Sequence, residues 1–338
     1  MILLFICKYG IKKGMGHLSR SKALAMAINE IYPEFVIDFI AIGDGFANKL
    51  FEGIKINTTF IENESDLFLN KLYDVVFIDM LEACFLMEKI RNIRCKVCLS
   101  PFFNRFEDID ILFHRTKYLD SNEVYPQLVY AGLEYTIIPD SCHRVPTYRY
   151  ESALDNEYFP IAISMGGGDA ANKTLNCLCE LKKCEVPATF WVMLGEGYTH
   201  SYDQLVEEIR NDTKHDIILV RSNINMWQIM QNCVLCIIPG GVTAYEAAYA
   251  GIPFIAIEQE ERKRFLINEL LDNQVCKISN SFIDINDKIE YLYANRNKLL
   301  MMHFNSKGLI KGNFASLIIN HCDNYLQNIN LLNSHRII

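Results

Sequence analysis

No apolar run in this chain is long enough to cross a membrane. The longest reach about ten residues, roughly half of what a spanning helix needs. No basic block stands out either. Lys and Arg number 33 against 41 Asp and Glu, which leaves a formal net charge of −8 and a sequence pI of about 5.6. A nucleic-acid footprint is therefore not expected. The opening "MILLFICKYG" has no basic residue ahead of its apolar run and no small-residue cleavage site after it. It does not read as a signal peptide, so the expected location is the cytoplasm. Low-complexity tracts are absent, as are HExxH, GxSxG and a full P-loop.

What is present points to two ordinary domains. The 338 residues are 50% hydrophobic, enough for a real core. There are 12 cysteines, and two pairs, Cys95/Cys98 and Cys233/Cys236, have CxxC spacing. Both pairs sit in apolar segments that read as buried strands. Residues three apart on a strand face opposite sides, so neither pair can grip one metal ion. Buried small hydrophobes in a reducing compartment are the expected role.

Short aliphatic runs alternate with helix-period segments. Strands are expected at 2–7, 36–42, 57–61, 74–79, 95–99, 109–113, 161–165, 189–194, 216–220, 233–238 and 253–257. Their weak polar alternation suits parallel strands covered on both faces. Between the first two, 17–31 places Leu18, Ser21, Leu24, Ala25, Ile28 and Ile31 on one helical face. The class is α/β, with doubly wound sheets. A strand, a glycine turn and a helix occur near residue 10 and again near residue 165. "PDSCHRVPTYRY", 139–150, lacks periodicity and reads as the approach to a linker. The division is then 1–145 and 155–310, two Rossmann-like domains facing a cleft. A helical stretch at 311–338 would pack back on the first domain.

Three turns are candidates for chemistry. "GIKKGMGHLSR", residues 10–20, sets glycines before a helix and places His17 at its start. The glycines let the backbone approach a ligand, and a histidine there suits a general base. It also suits a helix end that needs only a local hydrogen bond. "IIPGGVTAYEAAYAGIPFIAI" turns through Gly240 and Gly241 into a short helix that Gly251 ends. The helix N-terminus could take a diphosphate, with a hydroxyl from Thr243 and a ribose diol on Glu246. Thr243-x-x-Glu246 is equally a capping box, which needs no ligand. "MGGGD", Met165 to Asp169, is a third, less specific turn. Asp108-Ile-Asp110 has the DxD form of metal-dependent sugar transferases, but it opens the apolar run "ILF" and reads as two strand-edge carboxylates. "GLEYT", 132–136, carries no chemistry derivable from its residues.

"GMGHLSR", "VVFIDM", "AGLEYTIIPD", "SMGGGDAANKT" and "PGGVTAYEAAYAGIP" follow in order along most of the chain. Together they resemble the bacterial UDP-sugar hydrolases of pseudaminic acid biosynthesis, the UDP-2,4-diacetamido-2,4,6-trideoxy-β-L-altropyranose hydrolases. That family is similar to the N-acetylglucosaminyltransferase that forms lipid II, and both have the glycosyltransferase-B fold. The resemblance makes His17 the catalytic histidine after Gly14 and Gly16. It makes Gly240, Gly241 and Thr243 the diphosphate turn and Glu246 the ribose ligand. Gly166, Gly167 and Asp169 would line the cleft, and the loop near Arg221 would meet the uracil. Arg20 and Asp79 would stand among the substrate-binding residues.

The resemblance implies water attacking the anomeric carbon and UDP leaving, with neither metal nor cofactor. The expected partner is a UDP-sugar, not a nucleic acid; peripheral membrane contact would suit only a transferase. The sequence does not give the oligomeric state. It departs from the family at four places. "CKYG" stands where an acidic residue is usual after the first strand, and "CLSPFF" where paired aspartates are usual. Asp79-Met80-Leu81 replaces an Asp-His-Tyr stretch, and "EQEERKRF" lacks a clear Asn-Gln pair. Hydrolysis is the first expectation. Transfer to an acceptor hydroxyl on the same fold is the alternative, and an inactive nucleotide-sugar-binding subunit is a second.

Overall fold

The computed structural model describes residues 1–10, 14–44, 46–221, 225–257 and 263–334. The chain divides into two units. Of the described residues, one takes 1–10, 16–139 and the chain from Gly312, and the other holds 14–15 and 140–311.

The first unit is built on seven parallel strands: β1 (Ile2–Lys8), β2 (Val36–Ile42), β3 (Asn57–Ile61), β4 (Val75–Asp79), β5 (Cys95–Cys98), β6 (Ile111–His114) and β7 (Leu128–Ala131). Their order is β3-β2-β1-β4-β5-β6-β7. Leu3 to Cys7 are fully buried, as an aliphatic strand covered on both faces must be. Phe5 stacks on Phe39 at 5.9 Å and on Phe77 at 4.6 Å, tying β2, β1 and β4 together. The order reverses between β1 and β4, where Cys7 lies in register with Asp79. At such a switch point the loops leaving the two strands diverge and open a crevice. α1 (Gly16–Ile31) leaves β1 there and buries Leu18, Ser21, Leu24, Ala25 and Ile28. Ile31, expected on the same face, is exposed because it is the helix's last residue. A short α2 (Leu86–Lys89) follows β4.

The second unit has six parallel strands: β8 (Phe159–Ser164), β9 (Ala188–Leu194), β10 (Asp216–Arg221), β11 (Leu235–Pro239), β12 (Phe254–Ile257) and β13 (Cys276–Ser279). Their order, β10-β9-β8-β11-β12-β13, repeats the reversal, here between β8 and β11. Its helices are α3 (Thr147–Leu154), α4 (Lys173–Leu181), α5 (Tyr202–Arg210), α6 (Trp227–Met230), α7 (Val242–Ala250), α8 (Phe265–Asp272), α9 (Ile285–Ala294) and α10 (Arg296–Ser306).

The stretch read as a linker approach, 139–150, carries the start of α3 and belongs to the second unit from Asp140 on. It is bound there: Val145 N donates to Ala250 O at 2.8 Å, and the Tyr150 hydroxyl to Val234 O at 2.8 Å. The last helix, α11 (Phe314–Ser334), packs on α1 and β5 of the first unit. Tyr325 donates to Asp110 at 2.8 Å, which binds the helix to the sheet.

Candidate functional site

At the first switch point, α1 brings His17 against the end of β4. His17 Nδ1 lies 2.6 Å from Asp79 Oδ1. Arg20, one turn further along α1, grips the same carboxylate from Nε at 2.8 Å and Nη2 at 2.5 Å. The Ser21 hydroxyl adds a longer contact to Oδ2 at 3.3 Å. Asp79 is fully buried and Arg20 nearly so, with 7% exposed. Burial alone would push the Asp79 carboxyl up. The Arg20 guanidinium and His17 overcome it and hold the carboxyl well below the usual carboxylate range.

An ionised carboxylate on Nδ1 makes that nitrogen the protonated one. Nε2 is then left as the acceptor in a neutral ring. The arrangement is a histidine oriented by a buried aspartate, able to take a proton at Nε2. Gly14, just before the helix, has φ +83°, and a side chain added there would meet nothing within 4 Å. The glycine is needed for backbone conformation, not for packing.

Asp79 and Arg20 were expected to touch substrate. The structure instead seats Asp79 behind His17, with no exposed surface and both oxygens paired, and commits Arg20 Nε and Nη2 to it. Both are positioning residues. Lys8, at the position usually acidic in the resembled family, pairs with Glu64. It also donates to Glu82 O at 2.6 Å. Glu64 Oε2 in turn accepts the N–H groups of Cys84, Phe85 and Leu86 at 2.7–3.0 Å. That carboxylate is thereby committed to the backbone that opens α2.

At the second switch point two glycine turns lead into helices, and they differ. After β8, Gly166 takes φ +93° and Asp169 φ +41°. The Asp169 carboxylate accepts Lys173 N and Thr174 N, both at 2.8 Å, and so fills the N-terminus of α4. Asp169, expected to line a cleft, is a cap with both oxygens used. Gly167 is also structural: its carbonyl accepts Gly197 N at 3.0 Å, and a side chain on Gly195 would strike its backbone at 2.3 Å. "GEGY", 195–198, was not singled out in the sequence. Two glycines directly after a strand were the available signal.

After β11 the turn is open. Gly241 is the N-cap of α7, with no side chain capping the helix. A side chain on Gly240 would press on Ile267 at 2.9 Å, whereas among the described residues one on Gly241 would meet nothing within 4 Å. Gly240 is thus fixed by packing and Gly241 faces free space. The N–H groups opening α7 and its positive dipole end suit an anion. Thr243 is the second residue of the helix, and among the described residues its hydroxyl has no hydrogen-bond partner.

The capping-box alternative fails here, since Gly241, not Thr243, holds the cap position. Glu246 Oε2 turns instead to Trp227 Nε1 at 3.2 Å. Burial pushes the Glu246 carboxyl up to about 7, against the opposing indole hydrogen bond. Trp227 had no place among the sequence-based site residues; nothing local marks a partner 19 positions away. Arg221 closes β10 and is exposed, and the residues after it expected to meet uracil, 222–224, lie outside the described ones. So do 258–262, most of the stretch compared with the Asn-Gln pair.

The chain matches no family model. An uncharacterized protein of Methanocaldococcus jannaschii is 28% identical over 306 residues, covering 84% of this chain. The chain spans only 60% of that relative's length. Among solved structures it is similar to MurG of Acinetobacter baumannii at 13% identity and TM-score 0.66, covering 96% of this chain and 100% of that one. It is also similar to S. aureus MnaA, solved with UDP, at 11% identity and TM-score 0.64, covering 96% and 97%. The UDP-GlcNAc 2-epimerase of Neisseria meningitidis, bound to UDP-GlcNAc, aligns at 11% identity and TM-score 0.62, covering 95% and 99%. At these identities the likeness is one of fold. The chain has the glycosyltransferase-B fold.

In this glycosyltransferase-B chain the other motifs are structural. Asp110 accepts Lys96 N at 2.7 Å and the Tyr325 hydroxyl, while Asp108 pairs with Arg105. Both carboxylates are spent on protein groups. In "GLEYT", the Tyr135 hydroxyl meets His321 Nε2 of α11 at 3.1 Å. Ten of the 12 cysteines are buried, Cys84 and Cys179 being exposed, and all are free thiols. Among the described residues no helix is long and apolar enough to cross a membrane.

Proposed function

We propose that the chain hydrolyses a UDP-sugar, the second unit holding the nucleotide and the first supplying the base. The observation that carries this reading is the His17–Asp79 contact at 2.6 Å, with Arg20 keeping Asp79 ionised. It leaves Nε2 free to accept a proton from an attacking oxygen. Gly241, the α7 N-terminus and Thr243 take the diphosphate, which they also stabilise as it leaves. Glu246 takes the ribose hydroxyls. MnaA, solved with UDP, and the 2-epimerase, solved with UDP-GlcNAc, support a UDP-linked substrate through their shared fold. The sequence resemblance narrows the sugar to a deoxy, acetamido sugar of nonulosonic acid biosynthesis.

Purified protein incubated with a panel of UDP-sugars and no acceptor should release UDP and free sugar, identified by mass. Release only when an acceptor hydroxyl is added would make the chain a transferase. Binding without turnover would make it a nucleotide-sugar-binding subunit. Either result sinks the hydrolase reading.

A further inference from the structure

Glu246 is an unusual residue to bury. It sits on α7 with 5% of its surface exposed, among Ala244, Tyr245, Ala247 and Ala248, all fully buried. Among the described residues no cation contributes to its environment, and the side-chain hydrogen bond it receives comes from Trp227. The thiol facing it, that of Cys142, donates to the Glu246 backbone carbonyl at 3.4 Å and not to the carboxylate. A buried carboxylate without a cation is costly, and one indole N–H offsets only part of that cost.

The donor is itself held in place. Trp227 opens α6 and is 3% exposed. Its backbone N–H donates to Asn225 Oδ1 at 3.0 Å, and Asn225 Nδ2 donates to Ser141 O at 3.4 Å. An indole has a single N–H and no acceptor, so it can fill only one carboxylate oxygen. Oε2 is occupied, and Oε1 has no partner among the described residues.

We propose that Trp227 is a positioning residue for nucleoside recognition. It fixes Glu246 Oε2 and presents Oε1 to a ribose hydroxyl, so that the pair selects ribonucleotides over 2′-deoxyribonucleotides. This rests on the reading of Glu246 as the ribose ligand. Trp227 touches no substrate; it acts through the carboxylate. A carboxylate free to rotate would accept from a single hydroxyl about as well as from a diol. One pinned by the indole holds its unused lone pairs in fixed directions, so a sugar lacking the 2′-hydroxyl leaves one of them unfilled.

Calorimetric titration with UDP, 2′-deoxy-UDP and inorganic pyrophosphate tests the proposal on the intact chain. Trp227→Phe keeps a ring of similar bulk and removes the N–H. It should weaken UDP about tenfold, the scale of one hydrogen bond to a charged group. The UDP preference over 2′-deoxy-UDP should shrink with it, while pyrophosphate affinity stays unchanged. In a Glu246→Gln background the same change should have no further effect on that preference.

A second check leaves Trp227 and Glu246 intact. The Trp227 indole N–H resonance, told apart from that of Trp191 by Trp191→Phe, should move with UDP and not with pyrophosphate. An unchanged preference in Trp227→Phe, equal losses for UDP and pyrophosphate, or an indole signal indifferent to UDP would overturn the proposal while leaving UDP binding in place. A wild-type protein that does not bind UDP would overturn the functional reading itself, and this proposal with it.

Discussion

The two sheets reverse their strand order in the same way, yet the residues at the two reversals have opposite character. Between β1 and β4 the chain places a histidine, an aspartate and an arginine, and every oxygen of the aspartate is paired. Between β8 and β11 it places glycines, a hydroxyl and one carboxylate without a cation. The first arrangement fixes a proton acceptor in orientation. Among the described residues the second has no side-chain cap on the N–H groups that open α7. On the proposed reading the first switch point does the chemistry and the second holds the ligand; the same topology carries both arrangements because each loop is free to differ.

The comparison breaks most easily at His17. His17→Asn keeps polarity and approximate size and removes the base. If the first switch point carries the chemistry, UDP-sugar turnover should fall by about 10²- to 10⁴-fold. UDP affinity, measured by calorimetry, should stay within error of wild type. Turnover at the wild-type rate would reduce His17 to a helix-end residue.

Gly241→Val is the counterpart in the second unit. Gly241 has φ −91° and ψ −146°, outside the left-handed region, and among the described residues nothing lies within 4 Å of an added Cβ, so the variant breaks no packing. If phosphate oxygens occupy that space, UDP affinity should fall by roughly 2 kcal/mol, the scale of losing charge-assisted hydrogen bonds. The melting temperature without ligand should not move. Unchanged affinity would remove the diphosphate from α7.

Much of this was legible before any coordinates. Buried parallel strands are aliphatic on both faces, so all eleven expected strands match observed ones to within two residues. β7 and β13 escaped, for a physical reason. "LVYA" is a half-exposed edge strand of four residues, and "CKIS" is short and mixed. Short mixed runs carry neither a period nor a continuous apolar signal. Turns with a local signature, His17 after its glycines and Gly241 before α7, were also readable. What could not be read were partnerships across the chain. Asp79 meets His17 over 62 positions and Trp227 meets Glu246 over 19. Asp169 was seen but misassigned: its bonds to Lys173 and Thr174 are local, yet its left-handed backbone hides the helix start.

The two switch points should also titrate in opposite directions. Asp79 is held below its ordinary value, so the stability it contributes is present at neutral pH and lost as the pH falls into the acid range. Glu246 is raised to about 7. Its contribution to stability is present below the ordinary carboxylate range and lost as the pH rises through 7. Binding should run the other way, because the ionised carboxylate is the better acceptor for ribose. Between pH 6 and pH 8 UDP affinity should rise by up to about tenfold, following the ionised fraction of one group. Glu246→Gln supplies the baseline that removes titration of the diphosphate itself. Equal pH profiles for wild type and Glu246→Gln would mean that Glu246 does not meet the nucleotide.

The smallest effect separates the two glycine turns of the second unit. Asp169 fills the end of α4 with its own carboxylate, while α7 leaves that role open. Asp169→Gly removes the carboxylate yet tolerates φ +41°, so no backbone strain is added. The expected cost is that of a lost cap, about 1 kcal/mol of stability in urea unfolding. Asp169→Ala loses the same cap and must also hold a left-handed backbone, which adds about 1 kcal/mol more. Asp169→Asn, able to accept one N–H and at ease in that conformation, should lie nearest wild type. In all three, UDP affinity should remain that of the wild-type protein, because the turn after β8 is a closed cap. A loss of UDP affinity in Asp169→Gly larger than its loss of stability would make Asp169 a ligand after all. The distinction between an occupied and an open helix end would then fail.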